Sequence, residues 1–165
     1  MSSLLQKAIE LAVKAHRGAE DPPGEPYIIH PMRVLLSVSA ADDSHQDERL
    51  RCTAILHDAL ERGKMTEKEL RAAGMPAAVV RAVKLLTHHD AVSYADYVVK
   101  LKADRLARAV KIADLLDNAD LRRVTFRPDK KKDVRRVTRY AASYKFLTNQ
   151  ITESEYRKAM RLGEQ

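Results

Sequence analysis

Tryptophan is absent from this 165-residue chain, aromatic side chains make up only 5% of it, and there is a single cysteine, Cys52. A core poor in rings and built of Leu, Val, Ile and Ala suits packed helices and makes an all-β sandwich a poor fit. One thiol closes no intramolecular disulfide, so nothing points to an oxidising compartment. No run of about 18 or more apolar residues occurs. Lys7, Glu10 and Lys14 interrupt the first helical stretch too early for a secretory signal. These absences predict a soluble, cytoplasmic protein with no membrane partner. What is present, 45% apolar and 32% charged residues, excludes a disordered chain and fits one domain over 1–165.

The punctuation along the chain is helical. Leu4, Leu5, Ala8, Ile9, Leu11, Ala12 and Ala15 recur at spacings of three and four, predicting an amphipathic helix to about Arg17, stopped by Gly18. Three prolines between Glu20 and Pro26 make a loop. Pro31 suits the first turn of a second helix, and a third is expected from about Gln46 to Arg62. Thr66 with Glu69, and Thr152 with Glu155, have the spacing of capping boxes. Pro76, Ser93, Asp104 and Pro128 are further helix openers, the last two for helices over 105–123 and to about Asn149. Strand-like alternation and repeats are lacking, so the expected architecture is all-α, a compact single domain of about eight helices.

The formal charge of +7 is unevenly spread. Residues 1–100 carry 13 basic and 14 acidic side chains, whereas residues 101–165 carry 17 and 9. Nine of the basic ones fall between Arg122 and Arg139, in a basic C-terminal helical segment at about 122–149. A nucleic-acid partner is one reading of such a stretch. A rim attracting a small anionic ligand, or a solvated helix face, accounts for it equally well.

Four residues able to bind a divalent ion stand in suggestive settings. His57-Asp58 lies within the apolar run Ile55 to Leu60, His30 follows Tyr27-Ile28-Ile29, and Asp114 is embedded in a helix that must pack. Burial opposes protonation of His30, and a buried carboxylate needs compensation. A mixed nitrogen and oxygen set favours Mn²⁺, Fe²⁺ or Zn²⁺. His88-His89-Asp90 reads as a helix-end feature, with a second site as the alternative, Tyr94 and Tyr97 as core packing, with pocket lining as the alternative, and Cys52 as a small buried hydrophobe.

The ordered series His30, His57-Asp58, Asp114 resembles the HD metal-dependent phosphohydrolase superfamily. The text around it narrows the likeness: Ala15-His16-Arg17-Gly18, Gly24 to Pro31, Leu56-His57-Asp58 with Glu61, and Lys111-Ile112-Ala113-Asp114 with Asn118. It looks like the hydrolase domain of RelA/SpoT proteins, in particular the small alarmone hydrolases typified by the metazoan SpoT homologue. The resemblance spans roughly residues 4–150. It implies a manganese-dependent pyrophosphohydrolase that removes the 3′-diphosphate of guanosine tetra- or pentaphosphate. It implies too that His30, His57, Asp58 and Asp114 hold the metal, that Glu61 helps activate the attacking water, and that Asn118 and Lys111 meet the nucleotide. Glu61 lies four residues after His57, and Asn118 four after Asp114, so each pair is expected to share a helix face.

Two positions depart from the family pattern. Where the motif reads HDxxED, this chain has Arg62 after Glu61, a cation suited to binding phosphate and unable to serve as a base. Where the long RelA/SpoT enzymes carry an Arg-Lys pair, it has Asp21 and Pro22. Alternative readings are therefore an HD hydrolase of another nucleotide, such as a nucleoside monophosphate or NADPH, and a catalytically lapsed regulator that binds a nucleotide or RNA. Oligomeric state has no signature in the sequence.

Overall fold

A computed structural model describes residues 3–21, 24–41, 47–61, 65–120 and 130–162. Nine helices lie among them: α1 (Leu4–Ala15), α2 (Ile29–Ala41), α3 (Glu48–Leu56), α4 (Glu67–Ala72), α5 (Ala77–Leu86), α6 (Tyr94–Leu101), α7 (Arg105–Asn118), α8 (Lys130–Leu147) and α9 (Glu153–Leu162). The all-α expectation holds, with one helix more than the estimate of about eight. Among the described residues no helix is long and apolar enough to cross a membrane.

Local chemistry sets most boundaries. Ser3, Asp47, Thr66, Ser93 and Asp104 accept hydrogen bonds from first-turn amides, meeting donors that a helix start leaves without partners. Thr66 and Glu69 form the full capping box, and Thr152 pairs with Glu155 in the same way. Left-handed residues end two helices: Gly74 (φ 82°) and Asn149 (φ 61°). Each lets the next amide reach back, Met75 to the Leu70 carbonyl and Gln150 to that of Lys145.

Where the helix limits differ from expectation, the reason is visible. Pro31 sits inside the first turn of α2, which begins two residues earlier. α5 stops at Leu86 because Thr87 is extended, and α7 ends at Asn118, not 123. The proposed opener Pro128, with Arg122, Arg123 and Arg127, lies outside the described residues.

α3 occupies the centre of the molecule. Leu50 and the five residues Cys52 to Leu56 are all buried, so the helix is enclosed beyond its first turn, where Arg49 is exposed. α1, α2, α5 and α7 pack around it. Ala8 and Ala12 of α1, Val34 of α2, Val79, Val80 and Val83 of α5, and Val110 and Leu115 of α7 join Ile55 and Leu56 in one continuous core. α8 packs on α7 and α9, and the Phe146 and Tyr156 rings stack at 4.7 Å. The start of α2, the end of α3 and the last half of α7 therefore converge.

Candidate metal centre

The loop before α2 delivers the first group. Asp21 accepts from the Glu25 amide through its side chain, and the Asp21 amide donates to the Glu25 carbonyl at 2.9 Å. Tyr27 N–H donates to the Ala19 carbonyl at 2.8 Å. This narrow bend positions Tyr27 and His30. Asp21, where the family pattern has a cation, thus holds the loop itself.

The second group comes from the end of α3, and here the expected helix to Arg62 is not formed. α3 stops at Leu56, and residues 57–61 are turns. His57 Nδ1 lies 2.8 Å from the Ala54 carbonyl, the acceptor that a continuing helix would offer to the Asp58 amide. The imidazole has taken the place of the next rung. Glu61 is accordingly not presented by a shared helix face. It is exposed, and one carboxylate oxygen accepts from the His88 amide at 2.8 Å. Arg62 lies outside the described residues.

The third group is on α7. Asp114 is buried, with Lys111 Nζ donating to its Oδ2 at 2.8 Å and Asn118 Nδ2 donating to its Oδ1. Here the helix spacing does what was expected, since Lys111, Asp114 and Asn118 share a face.

Four atoms meet where these segments converge. His30 Nε2 lies 3.2 Å from His57 Nε2, 3.3 Å from Asp114 Oδ1 and 3.8 Å from Asp58 Oδ2. His57 Nε2 lies 3.4 Å from Asp58 Oδ2 and 3.8 Å from Asp114 Oδ1. Ligands about 2.1 Å from a common ion stand roughly 3.0–3.5 Å apart at octahedral or tetrahedral angles, slightly closer than this set.

Tautomers make the fit chemical as well as geometric. A carbonyl oxygen only accepts, so His57 Nδ1 carries the proton. His30 Nδ1, 2.8 Å from Asp117 Oδ2, carries one too. Two imidazole lone pairs then face each other beside two carboxylates. A cation suits that arrangement, and His30, His57 and Asp114 are buried residues whose ligand atoms lie within 4.8 Å of one another.

Without an ion, protonation supplies part of the missing charge. Burial pushes His30 down, but Asp114, Asp117 and Asp58 outweigh it and raise its pKa to about 9. Burial pushes Asp114 up, and Lys111, His30 and His57 hold it well below the usual range. Asp58 is held low in spite of burial by His57 and His30, with the Tyr27 hydroxyl donating to its Oδ2. Burial opposes the charge on Lys111, and Asp114 more than restores it.

The cluster forms the floor of a pocket of about 240 Å³. Glu61, Lys111 and Asn118 line it together with His88, expected only as a helix-end feature, Arg139 of the basic stretch, and Tyr140 of α8, which the sequence pattern did not mark. The Arg139 guanidinium lies 4.6 Å from the Tyr94 ring centre, and its Nε is buried without a hydrogen-bond partner. Tyr94 and Tyr97 also line the pocket. Also unforeseen are Asp117 and Arg33, which stand behind His30. Their only sequence signal is the i, i+3 spacing of Asp114 with Asp117 and of His30 with Arg33, which places each pair on one helix face.

No model of a known protein family matches the chain. Among curated proteins it is similar to the guanosine-3′,5′-bis(diphosphate) 3′-pyrophosphohydrolase of Aquifex aeolicus, 30% identical over 141 residues, covering 81% of this chain and 20% of that protein. A probable enzyme of the same name from Mycoplasma pneumoniae is 33% identical over 70 residues, 42% of this chain and 9% of its own length. The chain thus spans a fifth or less of these relatives. A solved structure, described as a metazoan orthologue of SpoT that hydrolyses ppGpp and plays a role in starvation responses, superposes with a TM-score of 0.69. It covers 98% of this chain and 96% of its own at 21% identity, a likeness of fold. With the motifs in order, the helices that present them in place and these relatives beside it, the chain belongs to the HD-domain family of RelA/SpoT hydrolase domains.

Proposed function

We propose that this protein is a metal-dependent phosphohydrolase that removes the 3′-diphosphate of a guanosine tetra- or pentaphosphate as pyrophosphate. The observation that carries the reading is the convergence of two imidazole lone pairs and two carboxylates on the floor of a pocket whose wall offers Lys111, Asn118 and Arg139. His30, His57, Asp58 and Asp114 would hold the ion, for which we propose Mn²⁺. Asp58 and Asp114 offset its charge and the imidazoles supply the remaining donors. A divalent ion in such a set polarises a phosphoryl oxygen and acidifies the attacking water.

The chain's own groups do the rest. Tyr27, hydrogen-bonded to Asp58, fixes that carboxylate. Glu61, held at one oxygen by the His88 amide, takes a proton as the water oxygen attacks phosphorus. The bond from phosphorus to the 3′-oxygen breaks, and that oxygen takes up a proton. Asn118 and Lys111, already bonded to Asp114, sit at the border between ion and substrate. Arg139 lines the same pocket and adds positive charge that favours an anionic ligand.

The test is a nucleotide screen with Mn²⁺, comparing guanosine tetraphosphate, nucleoside monophosphates and NADPH, with Asp58→Ala as control. Pyrophosphate released from the tetraphosphate, and lost in the control, is the expected result. Inorganic phosphate released from another nucleotide would reassign the substrate. A protein that takes up no Mn²⁺ would turn the reading to a binding regulator.

A further inference from the structure

Behind the cluster, α2 and α7 meet through matched pairs. α2 presents His30 and Arg33 three residues apart, and α7 presents Asp114 and Asp117 at the same spacing. The inner members meet in the cluster. The outer members form a second layer in which the Asp117 carboxylate accepts from His30 Nδ1 at 2.8 Å, from Arg33 Nε at 2.7 Å and from Arg33 Nη2 at 3.2 Å. The His30 and Asp117 side chains are 6% and 9% exposed, so water competes little for these bonds.

We infer that Asp117, braced by Arg33, is the positioning residue that fixes which nitrogen of His30 faces the cluster and how strongly that nitrogen donates. The inference rests on the reading of the cluster as a divalent-ion site. An ionised carboxylate can only accept, so neutral His30 must keep its proton on Nδ1 and turn the Nε2 lone pair inward. The two imidazoles are not equivalent. His57 is backed by the neutral carbonyl of Ala54 and His30 by a full negative charge, which makes His30 the more basic donor. Arg33 occupies the carboxylate from the far side with two parallel bonds, keeping Asp117 ionised and aimed at Nδ1.

Asp117→Asn tests this with almost no change of volume. The amide can turn its NH₂ towards His30 Nδ1 and so drive the ring proton to Nε2. Two readouts are taken on the purified protein. Calorimetric titration with Mn²⁺ is expected to show affinity reduced about 10- to 100-fold. Nitrogen-15 spectra of the metal-free protein at pH 10 are expected to show His30 gaining the Nε2–H form while His57 stays Nδ1–H, an internal control that general loosening would not produce. Unchanged affinity together with an unchanged His30 tautomer would overturn the inference, even if Tm fell, because Asp117 would then only clamp two helices. If the wild-type protein takes up no Mn²⁺, the metal reading fails on its own and the tautomer decides the positioning role. Should Asp117→Asn not fold, Arg33→Gln leaves the His30–Asp117 bond in place. A measurable loss of Mn²⁺ affinity or shift of tautomer there supports the inference, and neither overturns it.

Discussion

At the scale of single residues, the His57 imidazole serves two purposes at once. Its Nδ1 ends α3 on the Ala54 carbonyl, and the same bond leaves Nε2 bare towards His30. Sequence could place His57 and Asp58 side by side but not foresee that the pair lies just past a helix, because the terminating bond is made by a side chain whose orientation no propensity encodes. Glu61 consequently reaches the pocket from a turn, tethered to the His88 amide. Replacing it by Gln keeps size and hydrogen bonding but removes the base. Mn²⁺ uptake is expected to stay within about twofold of wild type while kcat falls by about 10²- to 10⁴-fold. Undiminished turnover in a stopped pyrophosphate assay would remove Glu61 from the proton-transfer role.

At the scale of elements, α7 brings the most groups to the cluster, with Lys111, Asp114, Asp117 and Asn118 in its last eight residues. Its start is held by Asp104, whose Oδ1 accepts from the Leu106 and Ala107 amides at 3.0 Å each while Oδ2 accepts from Arg81. Asp104→Ala is expected to cost about 1–2 kcal/mol, lowering Tm by about 3–6 °C. It should leave Mn²⁺ stoichiometry intact, since the cap lies nearly three turns before Asp114. Calorimetric melting alongside metal titration checks both halves. This cap, like those of Thr66 and Ser93, was legible in the sequence because capping is a contact across two or three residues. Asp117 and Arg33 were not, since their bond joins positions 84 apart and has meaning only once α2 lies on α7. The same holds for Tyr27 and Asp58, which depend on a loop folding back to α3. The HD motif marked the inner ring of the cluster, and tertiary packing supplied the groups that orient it.

For the whole molecule, the cluster links pH, ion and stability. His30 titrates near 9 when no ion is bound, above its ordinary 6.5. A raised pKa stabilises the fold fully below 6.5, and that contribution disappears as pH rises through about 9. Metal-free protein should therefore lose Tm between pH 6.5 and 9. Saturating Mn²⁺ takes the place of the proton and should abolish or reverse the fall. Parallel melts with and without ion provide the check, and identical slopes would mean that the ion does not meet His30. The concentrated positive charge of the sequence finds one specific use in this frame: Arg139 reaches the pocket, while Arg136 pairs with Asp133 at 3.1 Å.

The cluster gathers its members from distant stretches of chain, His30 with His57 27 residues away and with Asp117 87 residues away. Closing spans of that length is entropically slow, so the cluster is expected to assemble after the central helix has gathered its neighbours. An ion seated there would act as a removable cross-link in a protein whose lone cysteine can provide no permanent one. With the cluster formed late, its grip would be felt on the way out of the native state, delaying unfolding while leaving the speed of folding almost untouched.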